Sequence, residues 1–200
     1  MSYEILQLPH DPDSAQSYVE PYKSFRLLSL QLSPEAFLST YEREKEFTDD
    51  IWLGRLTNPS ATTFVAHEAG RLISTLTIIS NLPHAPEELS PLGNPWIATN
   101  KDARLVPSNL LHSRINGLFT LPEARRKGLG QKLIERGIAF AADEARAAKK
   151  DFVVSIAVEA DNKPAKKLYE GCGFVVIKEE AHMCRGTPQS VFLLKFTPSL

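Results

Sequence analysis

The sequence predicts a single α/β domain, residues 1–200, built on a mixed sheet with at least one parallel crossover. Three observations predict it. Hydrophobic spacing switches repeatedly between helical and strand periods, in the order strand, helices, hairpin, strand, helix, strand, helix, strand, strand. The run "FVVSIAV" at 152–158 is apolar on both faces but for one serine, the texture of a buried strand. A long amphipathic pattern at 129–149 links that run to a strand pattern at 113–121, and two strands joined through a helix lie parallel.

Taken in order, "YEILQL" (3–8) alternates well enough for a first strand. From Ser14 to about Leu56 the spacing is helical, carried by Val19, Tyr22, Phe25 and Leu28, then by Phe37, Tyr41, Phe47, Trp52 and Leu56. Ser33-Pro34-Glu35 reads as an N-cap followed by proline at the first helical position, which starts a second helix there. Residues 62–80 are two β-rich runs around Glu68-Ala69-Gly70-Arg71, an antiparallel hairpin. Residues 82–112 hold five prolines, at 83, 86, 91, 95 and 107, and read as a long loop, either a substrate lid or a disordered insertion. The strand 113–121, the helix 129–149, the strand 152–158 and a short helix 163–171 follow, and strands at 174–180 and 190–196 close the sheet.

Composition limits the function classes. Among 200 residues 42% are apolar and 24% charged, and 23 Lys and Arg balance 24 Asp and Glu for a net charge of −1. A chain so balanced has no overall pull toward nucleic acid or an anionic membrane, so any anion site is local. The start "MSYEILQLPHDPDS" has no basic stretch leading into an apolar one, and no eighteen apolar residues run together. The expectation is a soluble cytoplasmic protein, with a nuclear one equally allowed. Cys172 and Cys184 are too few for a disulfide framework or a zinc site and read as reduced thiols.

The local anion site is "EARRKGLGQKLI" (123–134), which puts Arg125, Arg126, Lys127, Gly128 and Gly130 between a strand and the start of a helix. A helix start leaves four backbone N–H groups without intrahelical partners and carries partial positive charge. Gly128 and Gly130 keep side chains away from those amides, and the three cationic residues supply charge at the rim, so a phosphate fits. Two familiar phosphate loops fail on spacing. Gly128 is followed by Leu129-Gly130-Gln131, without the Lys-Ser/Thr of a Walker loop, and Leu133 stands where a dinucleotide fingerprint needs its third glycine. A tight turn with solvated basic residues would look the same in isolation.

A second constellation follows the next strand. In "EADNKPAKKLYEGCGF" (159–174), Asn162 suits an N-cap and Gly173 a helix end. Here the sequence resembles the GCN5-related N-acetyltransferase (GNAT) family. Arg125, Gly128 and Gly130 match its Arg/Gln-x-x-Gly-x-Gly/Ala pyrophosphate loop, and Asn162, Ala165, Leu168, Tyr169, Gly173 and Phe174 match its second signature in order and spacing. The clear match spans 113–176, with a looser likeness in "RLLSLQLSPEAFLSTYEREKEF" (26–47). Arg126 departs from the pattern where many members carry glycine. Pro164 also departs, tolerably, because the first helical turn needs no N–H there.

The resemblance implies a mostly antiparallel sheet flanked by helices, with a splayed parallel pair, 113–121 and 152–158, that admits acetyl-CoA. It implies that Leu118, Phe119 and Thr120 offer backbone N–H groups to the acyl and pantetheine parts. The turn from Arg125 through Arg126, Lys127, Gly128, Leu129 and Gly130 to Gln131 would hold the pyrophosphate, with Asn162, Ala165 and Lys167 completing the cofactor contacts. Tyr169 would be the catalytic acid that protonates the departing thiolate. By its spacing alone, Tyr169 reads as a core aromatic on an amphipathic helix.

The base is not singled out. The strand 113–121 holds no Glu, so the candidates are His112, Glu159, Glu42 and Glu44, of which His112 reads as a solvated loop-end residue and the last two as a solvated helix face. Trp96, Phe37, Tyr41 and Trp52 either line an acceptor pocket or fill the core. The function expected is acetyl-CoA-dependent transfer to a primary amine, of a small molecule or a peptide, by direct attack in a ternary complex. The protein is expected to act as a monomer or homodimer, with no nucleic acid or membrane partner. A catalytically silent CoA-binding sensor or scaffold is the alternative, which need not keep Tyr169.

Overall fold

A computed structural model describes residues 3–82, 85–97, 109–184 and 186–198. Its strands are ordered β1-β2-β3-β4-β5-β7-β6, and β4 and β5 form a parallel pair in a sheet that is otherwise mostly antiparallel. The chain forms two compact units, residues 1–78 with 117–133, and residues 79–116 with 134–200.

The first unit opens with β1 (Glu4–Gln7), antiparallel to β2 (Ala61–Glu68). Helix α1 (Pro12–Leu32) starts where Asp11 accepts a hydrogen bond from the Ser14 N–H at 2.9 Å. It buries Ala15, Val19, Tyr22, Phe25 and Ser29, a stripe at three- and four-residue spacing. The expected second helix at Ser33 does not form. The Ser33 side chain caps nothing, Pro34–Ala36 makes one 3-10 turn, and Phe37 is extended. Helix α2 (Tyr41–Glu44) and helix α3 (Asp49–Leu56) then start separately, behind Thr40 and Thr48 in extended conformation. The helical spacing across 34–56 thus belongs to three short pieces, broken by residues that favour helix starts over helix interiors.

Glu44 explains why those pieces hold together. Its side chain is 1% exposed, and its carboxylate accepts from Arg26 Nε and a terminal Arg26 nitrogen, both at 3.0 Å, and from Arg55 at 2.9 Å. One buried anion therefore ties α1, α2 and α3. Arg26 also lies over the Phe37 ring, and Arg55 over Phe47 and Trp52. The reading of Glu44 as a solvated residue is corrected: its two arginines repay its burial. Trp52 is fully buried against Tyr22 and Phe47, so it fills the core and lines no acceptor pocket.

The hairpin comes as expected, with β2 joined to β3 (Arg71–Ile79) through Ala69 and Gly70, both at positive φ, the turn that matches strand twist. Strand β4 (Leu110–Thr120) carries Gly117 at φ +63, and its last residues lie in this unit beside β3. There the Ser74 hydroxyl donates to the Phe119 carbonyl at 2.8 Å, and the Leu121 N–H donates to the Ile73 carbonyl at 2.9 Å.

In the second unit the start of β4 pairs in parallel with β5 (Asp151–Glu159), from Leu110 opposite Asp151 to Arg114 opposite Ser155. Both strands run on, but their registered pairing ends there. Helix α4 (Leu129–Ala148) provides the crossover. Helix α5 (Lys163–Gly171) leads to β6 (Val175–Cys184), which is antiparallel to β7 (Thr187–Phe196), and β7 pairs with β5. The last hairpin extends four residues beyond the expected end of its first strand, because Lys178, Glu179, Glu180 and His182 leave no apolar alternation to read. Phe174 packs edge-on to Tyr169 and tilted to Phe196, which closes one face of this unit. Cys172 is unpaired, while the Cys184 side chain, Pro83 and residues 98–108 of the long loop, Pro107 included, lie outside the described residues.

Glu44 also sets an acid limit. Burial raises its pKa, but the hydrogen bonds and charges of Arg26 and Arg55 outweigh that and bring it from 4.5 down to about 2. A carboxyl with a depressed folded-state pKa stabilises fully above its unfolded value and loses that contribution as pH falls toward the folded one. About 3 kcal/mol should therefore vanish between about pH 5 and pH 2. Glu44→Gln should be less stable at neutral pH by about 3 kcal/mol and show a flatter acid profile, read by urea unfolding at stepped pH. A variant as stable as wild type at pH 7 would contradict this role.

Candidate active site

The cofactor-type features divide between the two units. In the first, the end of β4 feeds a 3-10 turn, Pro122–Ala124, and then the basic turn. Because Leu121 bonds to β3, strand alternation turns the amides of Leu118 and Thr120 away from β3, and the β4–β5 ladder has ended before them. The Phe119 side chain is core, packed against Phe25 and Phe37, and its backbone, two residues before Leu121, faces β3, where its carbonyl accepts from Ser74. The expected Phe119 contact is therefore corrected: Leu118 and Thr120 alone keep outward amides here. Phe37 itself, half-buried there, is a packing residue.

Arg125 is tied back onto the strand it follows. Its Nε donates to the Thr120 carbonyl at 3.0 Å, a terminal nitrogen reaches the Ser33 hydroxyl at 3.4 Å, and its guanidinium covers the Phe119 ring at 5.4 Å. It braces the turn. The chain then passes through Arg126 at φ +63 and Gly128 at φ +75 before Leu129 enters α4 and is buried. Arg126 thus holds a left-handed backbone where glycine is cheapest, at a cost of about 1 kcal/mol. A Cβ built on Gly128 meets nothing within 4 Å, so the backbone there faces open space. Arg126 and Lys127 are exposed beside it, as is Gln131 one turn on, and Gly130 is half-buried. The arrangement fits a bound phosphate or pyrophosphate: open backbone at a twenty-residue helix's start, rimmed by cations.

In the second unit, most of the second signature performs folding tasks. The Asn162 side chain caps α5 by accepting from the Ala165 N–H at 3.2 Å. Gly173, at φ +89, ends the helix, with the Phe174 N–H on the Tyr169 carbonyl at 3.1 Å, and a Cβ there would come within 3.4 Å of the Phe196 ring. Lys167 is exposed. Tyr169 is 6% exposed, and its hydroxyl makes no hydrogen bond among the described residues. Burial raises its pKa well above the ordinary phenol value, with the nearby Cys172 adding to the effect. The proton stays on.

The base candidates separate sharply. Glu42 is exposed and pairs with Lys45, and Glu44 is consumed by its arginines. His112 is 1% exposed, and Nε2 lies 2.8 Å from the Ser155 hydroxyl, which corrects its reading as a solvated residue: it sits inside β4 rather than at a loop end. Glu159 lies 3.0 Å from His182 Nε2, and both side chains are about nine-tenths buried. Tyr41 is half-buried with the Lys45 ammonium over its ring, and Trp96 sits half-buried in a 3-10 turn, Pro95–Ile97. Sequence reasoning missed His182 and the buried Arg114. The signal for Arg114 was available, since an arginine inside an otherwise apolar strand, "LLHSRI", has to find something to satisfy it.

The family profile described as the acetyltransferase (GNAT) family matches residues 26–174. The chain belongs to that family, and it is an N-acetyltransferase. A search of curated protein sequences finds no match. Among solved structures it is similar to Arabidopsis thaliana NAA60 in complex with a bisubstrate analogue, at 16% identity and a TM-score of 0.63, covering 97% of this chain and 98% of that one. It is also similar to yncA from Salmonella typhimurium with its cofactor acetyl-CoA, at 17% identity and a TM-score of 0.59, covering 98% and 94%. The Escherichia coli ribosomal-protein-S18-alanine N-acetyltransferase aligns over 100% of this chain and 96% of that one, at 14% identity and a TM-score of 0.56. At such identities the likeness establishes the fold. Among the described residues no helix is long and apolar enough to cross a membrane.

Gly128 offers a direct check on the turn. Gly128→Ala and Gly128→Asp should each destabilise the fold by about 1 kcal/mol through the left-handed backbone, since a Cβ there meets nothing within 4 Å. Calorimetric titration with CoA should separate them, the Asp variant binding at least tenfold more weakly than the Ala variant because its charge opposes the phosphates. Equal CoA affinities for the two would mean that the turn holds no anion.

Proposed function

We propose that this chain transfers an acetyl group from acetyl-CoA to a primary amine by direct attack in a ternary complex, and that residues 1–200 act as one acetyltransferase domain. The observation that carries the proposal is the turn from Arg125 to Leu129, open at Gly128 and braced by Arg125 on Thr120. Family membership, whose match draws on both units, names the ligand that such a turn would take. Acetyl-CoA, when bound, supplies an activated thioester.

The chain's own residues supply the remainder. Backbone N–H groups from Gly128 to Gly130, with Arg126 and Lys127 at the rim, would bind the pyrophosphate. The amides of Leu118 and Thr120, left out of the ladder to β5, would position the acyl arm by backbone hydrogen bonds that need no particular side chain. Asn162 and Ala165 shape the start of α5, and Lys167 adds a cation there. The Tyr169 hydroxyl, protonated throughout the neutral range and free of partners among the described residues, is the proton donor to the leaving group. Of the base candidates, Glu159 with His182 is the pair whose groups are held ready without a structural counter-ion such as arginine, so this pair would take the amine proton directly or through water. A silent sensor would have no use for a hydroxyl that makes no hydrogen bond among the described residues.

Tyr169→Phe tests the assignment. Since the hydroxyl makes no hydrogen bond among the described residues, the variant should keep wild-type stability and CoA affinity while turnover falls by about a hundredfold or more, equal to about 2.7 kcal/mol taken from the transition state alone. Single-turnover acetylation at saturating acetyl-CoA provides the reading. An unchanged chemical step would leave Tyr169 a packing residue.

A further inference from the structure

The strand registers of the second unit bring an unusual set of groups to one face. Arg114 on β4 lies opposite Ser155 on β5, Ser155 opposite Lys195 on β7, and Glu159 on that same β5 face lies opposite Val191, which is opposite Glu180 on β6. The reverse face of β5 carries Val154, Ile156 and Val158, all buried. This unit therefore has one apolar face and one on which the charged groups are interspersed with buried Val153, Val191 and Leu193, and Arg114 and Ser155 are themselves buried.

On the charged face most groups have partners. Glu87 pairs with Lys195, Glu159 with His182, and Lys178 with Glu180. Arg114 is different. It is 2% exposed, its Nε donates to the Ser155 hydroxyl at 3.2 Å, and one terminal nitrogen donates to the Ser90 carbonyl at 3.3 Å. Among the described residues the other terminal nitrogen is buried without a partner, and no carboxylate pairs with the guanidinium. Burial lowers its pKa to about 10, which still leaves it charged at neutral pH. A charge taken out of water without a counter-ion is among the costliest features a fold can carry.

Ser90 indicates what belongs there. Its carbonyl accepts from Arg114, and its hydroxyl donates to both oxygens of Glu180, at 2.9 and 3.1 Å. One neutral residue thus presents an acceptor to a buried cation and a donor to a nearby anion, at contacts toward the long end for charged partners. An amine bearing a carboxylate a few bonds away offers the same pattern with full charges. We propose that Arg114 and Glu180 form the acceptor site, and that the acceptor is an amino acid or related amine whose free carboxylate replaces the Ser90 carbonyl on Arg114 while its amine end replaces the Ser90 hydroxyl on Glu180, from which the amine proton passes through water to the Glu159 and His182 pair on the same face. The proposal rests on the acetyltransferase reading above and narrows its substrate class. Arginine suits the role because its planar fork can take both oxygens of a carboxylate. Arg114 is a specificity residue here, not a participant in acetyl transfer.

The test compares matched acceptors. The common amino acids and their α-carboxamides are assayed with acetyl-CoA for thiol release, on wild type, Arg114→Lys and Arg114→Met, alongside melting temperature and acetyl-CoA affinity by calorimetry. Wild type should favour at least one free acid over its amide by a hundredfold or more in kcat/KM. Arg114→Met should bring that ratio near one, Arg114→Lys should restore part of it, and Arg114→Met should melt higher than wild type because an unpaired buried charge is gone. A merely structural arginine predicts the opposite stability change, with acid and amide affected alike. Equal use of acids and amides by wild type, or turnover of neither while acetyl-CoA still binds, overturns the acceptor assignment alone. Failure to bind acetyl-CoA overturns the acetyltransferase reading and this proposal with it.

Discussion

The arrangement depends on how far β4 pairs with β5. Their parallel ladder runs from Leu110 to Arg114 and ends, while β4 continues through Gly117 at φ +63 to Thr120. A parallel ladder that went on would consume every backbone group along the strand. Because it stops, the amides of Leu118 and Thr120 keep hydrogen-bonding capacity that the sheet does not use. Gly117 is where the strand can afford a left-handed kink, since any side chain there would pay for it in strain. The same strand carries Arg114 on its paired portion, so acyl-arm contacts and acceptor recognition are assigned to successive stretches of one element.

A second theme is the division between residues that shape and residues that act. In each signature the most recognisable positions are occupied with geometry. Asn162 caps a helix, Gly173 ends it beside Phe196, Arg125 braces a turn against Phe119, and Leu129 is core. What remains for the proposed chemistry is smaller: open backbone at Gly128, the Tyr169 hydroxyl, which makes no hydrogen bond among the described residues, and the Glu159 and His182 pair. The pattern builds a shape, and in the proposed reaction that shape positions the few groups that would act. Arg126 is the exception. It accepts a strained backbone and stays exposed, which places a cation beside the turn at a cost glycine would avoid.

Much of this was legible in the sequence, for definite reasons. The hairpin at 61–79 and the strand–helix–strand passage of 110–159 have strong periods and clear turn residues, and the two signatures stand at fixed places within that frame. The helical stretch 34–56 misled because its apolar spacing is satisfied by three short pieces, and their break depends on Glu44 meeting Arg26 and Arg55 from other elements. Local sequence cannot show such a pairing. His112 was misplaced for a related reason: a strand that begins at Leu110 rather than 113 turns a loop-end residue into a buried one. The charged face of the second unit was invisible because it arises from register. Arg114, Ser155 and Glu180 are far apart in the chain and meet only through the order β4, β5, β7, β6.

The central claim is that the end of β4 and the turn after it hold the donor of an acetyl transfer. Amide hydrogen exchange with and without acetyl-CoA tests it most directly, because the proposed contacts are backbone N–H groups. The account predicts slowed exchange at 118, 120 and 126–131, together with the start of α5, and no comparable protection by ATP or NAD at the same concentration. Protection that bypasses the 126–131 turn, or an equal effect from ATP, would contradict it.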